Sequence, residues 1–203
     1  GDAGFPIAVP IVEVNGRWLW DSAAGRHESL LRRIGENELD TIAVCRGYVE
    51  AQQEYSALDP DKTGMHAYAQ RIISTPGKRD GLYWAGGDGG PESPISEPIA
   101  RAIAEGYTSK SEPYHGYHYK VLTAQGKSAP LGEMDFMVDG HMIGGFALVA
   151  WPAQYLVSGV KTFMVSHDGI VYEQDLGGDT AKIASAMTRF DPDMNWTVTE
   201  DAP

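Results

Sequence analysis

A long run near the start of this chain holds almost nothing that opposes helix. Between Arg26 and Ala57 there is no proline, and the only glycines are Gly35 and Gly47. A proline would remove a donor and clash with the preceding turn, so its absence leaves helix as the favoured state. At about 100° per residue, Ile42, Val44, Cys45, Tyr48, Val49, Ala51 and Tyr55 share one broad arc, while Asp40, Arg46, Glu50 and Glu54 fall on the other. An apolar arc covering about half the circumference suits a helix lying across a sheet. Asn37, with Asp40 three residues on, reads as an internal N-cap, which predicts a kink at Gly35 between a short helix and a longer one.

The flanks supply the rest of an α+β fold. Ile7 to Val14 is apolar and β-branched, Asn15-Gly16 is the dipeptide that a type I′ turn favours, and Arg17 to Trp20 leads back. Residues 5–22 therefore read as a hairpin. A chain opening inside such a strand implies an upstream region whose sheet the hairpin completes. After a loop at Leu58 to Gly64, a short helix is expected around His66 to Ile73, then a breaker-rich loop from Ser74 to Pro94, long enough to carry a function. Glu97 to Glu105 reads as a helix, with Pro98 in its first turn and Gly106 as its stop. Beyond Pro113 the period becomes that of strands: Tyr114 to Thr123, Met134 to Val138, Met142 to Ala150, Thr162 to Ser166 and Ile170 to Gln174, with a hairpin turn at His167-Asp168-Gly169. A last helix spans Thr180 to Arg189. The expectation is one α+β domain over 1–203, its long N-terminal helix packed on an antiparallel sheet formed mainly by the C-terminal half.

Charge and cysteine usage exclude several function classes. A net charge of −12 disfavours nucleic acid and anionic membrane surfaces, both of which require clustered Lys and Arg. Cys45 stands alone, so no intrachain disulfide and no multi-cysteine zinc site is available. Its place on the apolar arc makes it a buried, inert thiol rather than a nucleophile. The longest apolar run, Gly144 to Trp151, is far short of the roughly 20 residues of a membrane helix.

Three constellations carry chemistry. Asp59, Asp61 and Thr63 with Gly64 match the first half of a calcium loop, but the bidentate glutamate expected at the twelfth position is Gln70 and the ninth position is Ala67. Among the histidines, strand alternation sends His115 and His118 to opposite faces, leaving His118, His141 and Asp135 as the trio that neighbouring strands could bring together for zinc or for proton transfer. Tyr114, Tyr117 and Tyr119 fit strand filling better than a stacking platform. Finally, Lys78 and Arg79 stand beside Tyr83 and Trp84, a combination suited to an anion or a partner surface. Pro76-Gly77-Lys78-Arg79 lacks the earlier glycine and following hydroxyl of a phosphate loop, and Gly87 to Glu92 lacks the last glycine of a dinucleotide loop.

Trp18, Asp21 to Gly25, Asn37-Glu38-Leu39, Gln52, the string Ser74 to Trp84, Gly116 to Tyr119 and Gly145-Phe146-Ala147 together resemble a bacterial family catalogued as domain of unknown function 2950. The resemblance covers roughly Phe5 to Trp196. It implies a periplasmic or secreted protein whose signal peptide has been removed, and it carries no activity. A helix followed by an antiparallel sheet is also similar in architecture to the globular heads of pilins and pseudopilins, although the apolar first half of a pilin helix is missing. The expected function is a non-enzymatic binding or structural module of the cell envelope, with no cofactor, contacting an envelope protein or small ligand through Lys78, Arg79, Tyr83 and Trp84. The alternatives are a metal-dependent or acid/base hydrolase using His118, His141 and Asp135, and a module stabilised by calcium at Asp59, Asp61 and Thr63.

Overall fold

The proline-free run folds as one unbroken helix. In the computed structural model, which describes residues 7–60, 62, 64–86, 90–105 and 114–200, α1 spans Ser22–Leu58. The Asp21 carboxylate accepts hydrogen bonds from the Ala23 and Ala24 amides at 3.1 and 3.0 Å and so caps its start. Asp59 ends it in the left-handed region, with its amide donating to the Tyr55 carbonyl. The division into a short and a longer helix expected at Gly35 does not occur. A single glycine costs a helix only about 1 kcal/mol, which is small beside the packing of the buried Ile34, Thr41, Cys45, Tyr48 and Val49. Asn37 is not a cap either, because its side-chain amide donates across the fold to the Ser158 carbonyl at 2.8 Å.

Ahead of α1, β1 (Ile11–Val14) and β2 (Arg17–Trp20) form the expected hairpin, and Asn15 and Gly16 take the positive φ values of a type I′ turn. Behind it come β3 (Arg71–Ile73), β4 (Gly81–Tyr83) and α2 (Glu97–Glu105). The helix expected over 66–73 is absent. The Tyr68 amide donates instead to the Met142 carbonyl at 2.7 Å, and the buried Gln52 side chain both accepts from the Ala69 amide and donates to the Ala69 carbonyl at 2.8 Å. Gln52 thus acts as a strand partner, and long-range hydrogen bonds override a local helical preference.

The C-terminal half holds β5 (Tyr117–Leu122), β6 (Ala124–Gln125), β7 (Met134–Asp135), β8 (Met137–Val138), β9 (His141–Met142), β10 (Ala147–Pro152), β11 (Lys161–Ser166), β12 (Val171–Asp175), α3 (Thr180–Ala186) and β13 (Thr197–Val198). The main sheet is antiparallel, in the order β13-β12-β11-β10-β5. Every residue of β10 is buried, because α1 covers one face and α3 the other. Strand alternation sets the sides. Tyr117 and Tyr119 point to α1, whereas Lys120 donates to the C-terminal end of α3, at the Ser185 and Met187 carbonyls, at 2.7 and 2.6 Å. α3 stops at Ala186, short of the expected Arg189, because Met187 turns extended. No helix among the described residues is long and apolar enough to cross a membrane.

Candidate functional site

The stretch Ser74 to Asp80 is a built turn. It joins β3 to β4, which run parallel with Arg71 opposite Gly81 and Ile73 opposite Tyr83. Parallel neighbours ordinarily need a crossover of about a dozen residues or more, so this short link has to be held by side chains. Ser74 supplies one clamp: its amide donates to the Tyr83 carbonyl at 2.8 Å, and its hydroxyl accepts from the Gly81 amide at 3.0 Å. Only glycine fits at 81, where a Cβ would sit 2.6 Å from the Ser74 nitrogen. Asp80 supplies the second, accepting from the Thr75 amide at 2.7 Å and the Thr75 hydroxyl at 2.8 Å. Partial burial works against its ionisation, yet these two bonds and the nearby Arg71 hold the Asp80 carboxyl below the usual carboxylate range. Between the clamps, the Lys78 amide donates to the Thr75 carbonyl at 2.8 Å, closing a turn with Pro76 and Gly77 at its centre. Gly77 has φ 78°, the value that the third residue of a type II turn requires.

Of the four side chains named from the sequence, three are engaged within the fold. The Arg79 guanidinium lies 5.8 Å from the centre of the Trp84 ring, and the Arg79 carbonyl accepts from the Tyr55 hydroxyl. Trp84 is buried and donates to the Pro91 carbonyl at 3.1 Å. Tyr83 is half-buried against Glu97; burial and that hydrogen bond push its hydroxyl above the usual tyrosine value. Lys78 differs. It stands exposed at the turn, and its ammonium makes no hydrogen bond or ion pair among the described residues. It lines two clefts at once. One, of about 360 Å³, is formed by the turn itself with Ile73, Tyr83 and Trp84. The other, of about 320 Å³, is lined by Tyr55, Asp59, Tyr68, Gln70, Asp80 and His141.

The histidine trio is not brought together. His118 faces Trp151, with ring centres 5.7 Å apart, whereas Asp135 pairs with Ala124. Ala124 lies six residues further along the chain from His118, or about 20 Å of extended strand at ~3.3 Å per residue. His141 pairs with Val138 and lines the cleft beside Lys78. Among the described residues no group of three or more His, Cys, Asp or Glu side chains could hold a metal ion. Of the calcium candidates, Asp61 and Thr63 lie outside the described residues, and one Asp59 carboxylate oxygen accepts from the Gly64 amide at 2.6 Å. Cys45 is fully buried, and burial pushes its thiol up to about 12.

One pairing has no counterpart in the sequence reading. His115 Nδ1 lies 2.7 Å from Asp40 Oδ2 at the edge of a third cavity, of about 330 Å³, between α1 and α2. Asp40 sits on the polar arc of α1, and His115 is followed by Gly116 in a turn. Those are the only local signals, and neither points to the other.

No curated protein and no solved structure matches this chain. A family model described as a protein of unknown function (DUF2950) matches residues 1–199, with the clamped turn and both clefts inside the match. The chain belongs to that family.

Proposed function

We propose that this protein is a non-enzymatic, extracytoplasmic binding module of the bacterial envelope that receives an anionic group of its partner at Lys78. One observation carries the reading: Lys78, whose ammonium makes no hydrogen bond or ion pair among the described residues, is carried between two clefts by a turn whose backbone is tied down on both sides. A pre-ordered turn spends little conformational entropy on binding. The net charge of −12 repels anions at long range, so the Lys78 ammonium acts on an anionic group only at short range. The extracytoplasmic setting rests on the family resemblance of the Ser74 to Trp84 string.

The reading is tested by titrating isotope-labelled protein with glutarate, a small dicarboxylate, and following the amide resonances of residues 74–80. Saturable shifts in the wild type that vanish in Lys78→Gln, at unchanged melting temperature, support it. No shift in the wild type, or the same shifts in Lys78→Gln, overturns it.

A further inference from the structure

We propose that the cavity between α1 and α2 is a second binding site, which takes a small neutral ring compound bearing one hydroxyl donor, such as a phenol or an aryl alcohol. Its body is apolar, with Val44, Leu82, Ile95, Ile99 and Ile103 lining it. A cavity of about 150 Å³ lined by such residues holds one benzene ring, so a volume of about 330 Å³ has room for two fused rings. Asp40 and His115 meet in its lining, where Tyr48 and Tyr114 are the other residues with polar side-chain atoms. A few converging polar groups on an apolar body are the usual make-up of a small-molecule site.

The edge is organised rather than incidental. His115 and Gly116 are the central residues of a turn closed by the Tyr117 amide on the Tyr114 carbonyl, and both have positive φ, 48° and 73°. Histidine is among the non-glycine residues enriched at positive φ, and the contact with Asp40 places its ring against α1. With Nδ1 on Asp40, Nε2 is the ring atom left to meet a ligand, and in the tautomer whose proton lies between Nδ1 and Asp40 it is an acceptor. The ligand must then bring a donor. An anionic head group would meet the Asp40 carboxylate, which is why the class is a neutral hydroxyl compound and not an acid.

Gly47 also lines the cavity. It lies within α1, where glycine is a poor helix former, yet a Cβ built there meets no described atom within 4 Å. Close packing therefore does not demand it, unlike Gly25, whose Cβ would lie 2.7 Å from a Val9 methyl. At 47 the missing side chain leaves space in the wall of the cavity.

The test uses the full chain and two probes of one shape, 2-naphthol and naphthalene, with binding followed through the amide resonances of α1 and α2. 2-Naphthol should shift residues 43–48 and 99–103 and bind about five- to tenfold more tightly than naphthalene, the effect of one neutral hydrogen bond. In His115→Phe the two probes should bind alike. In Gly47→Leu the new side chain fills the space, so neither should bind, while the helix, freed of a glycine, keeps or raises its melting temperature. Absence of shifts with 2-naphthol, equal affinities in the wild type, or undiminished binding in Gly47→Leu each overturn the proposal. Because Lys78 lines neither this cavity nor its edge, failure here and failure at the 74–80 turn are read separately.

Discussion

At the scale of single residues, the string Ser74 to Asp80 is accounted for side chain by side chain, and the carboxylate of Asp80 is its keystone. Asp80→Ala removes the acceptor for both the Thr75 amide and the Thr75 hydroxyl. Denaturant unfolding at neutral pH should show a loss of about 1.5 to 3 kcal/mol, the range for hydrogen bonds to a charged group. The pH dependence has a definite sign. Since the folded-state carboxyl lies below its ordinary value, ionisation favours the folded protein. The contribution is fully present above about pH 4, the unfolded-state value, and it fades as pH falls through the folded value. The wild type and Asp80→Ala should therefore converge in stability in acid; a gap of constant size down to the lowest pH would remove the carboxylate from the explanation. Cys45 illustrates the opposite kind of residue, one that burial silences.

At the scale of elements, α1 does more than cover the sheet. Its N-terminal half is fastened to the loop between β10 and β11. Asn37 donates to the Ser158 carbonyl, and one Glu38 carboxylate oxygen accepts from the Val160 and Lys161 amides at 2.8 and 3.0 Å. These bonds join residues more than a hundred positions apart, and they take the place of the internal cap that Asn37 and Asp40 imitate in sequence. Glu38→Ala leaves two partly buried amides without that acceptor and should cost about 2 kcal/mol by denaturant melts. Glu38→Gln, which keeps an acceptor oxygen, should recover a good part of it. Equal stability of Glu38→Ala and wild type would mean that water replaces the carboxylate and that the loop is not fastened through it. The β3–β4 pair shows the same dependence on side chains, with Ser74 and Asp80 closing a link too short for an ordinary crossover.

At the scale of the whole molecule, the antiparallel sheet is enclosed between α1 and α3, and its central strand β10 is buried on both faces. One Asp59 carboxylate oxygen is already taken by the Gly64 amide, and the melting midpoint is expected to be the same in excess calcium and in chelator; a rise with calcium would restore the Asp59 loop as a binding site. The enclosed sheet also explains what local pattern could and could not reveal. The proline-free run, the Asn15-Gly16 turn and the burial of Cys45 were legible because each depends on near neighbours or on a period of 3.6, whereas the strand expected over Met142 to Ala150 was legible only in part, since it divides into β9 and β10 with residues 143–146 between them. The stretch 66–73 misled because Gln52 and Met142 capture its backbone, and neither is adjacent to it in sequence. Lys78 could be named from composition, but its isolation at a clamped turn between two clefts could not. The meeting of Asp40 with His115 was equally out of reach. Helix, strand and turn follow from interactions a few residues long, whereas clefts and side-chain pairs arise only when distant segments pack, and that is where the candidate sites of this protein lie.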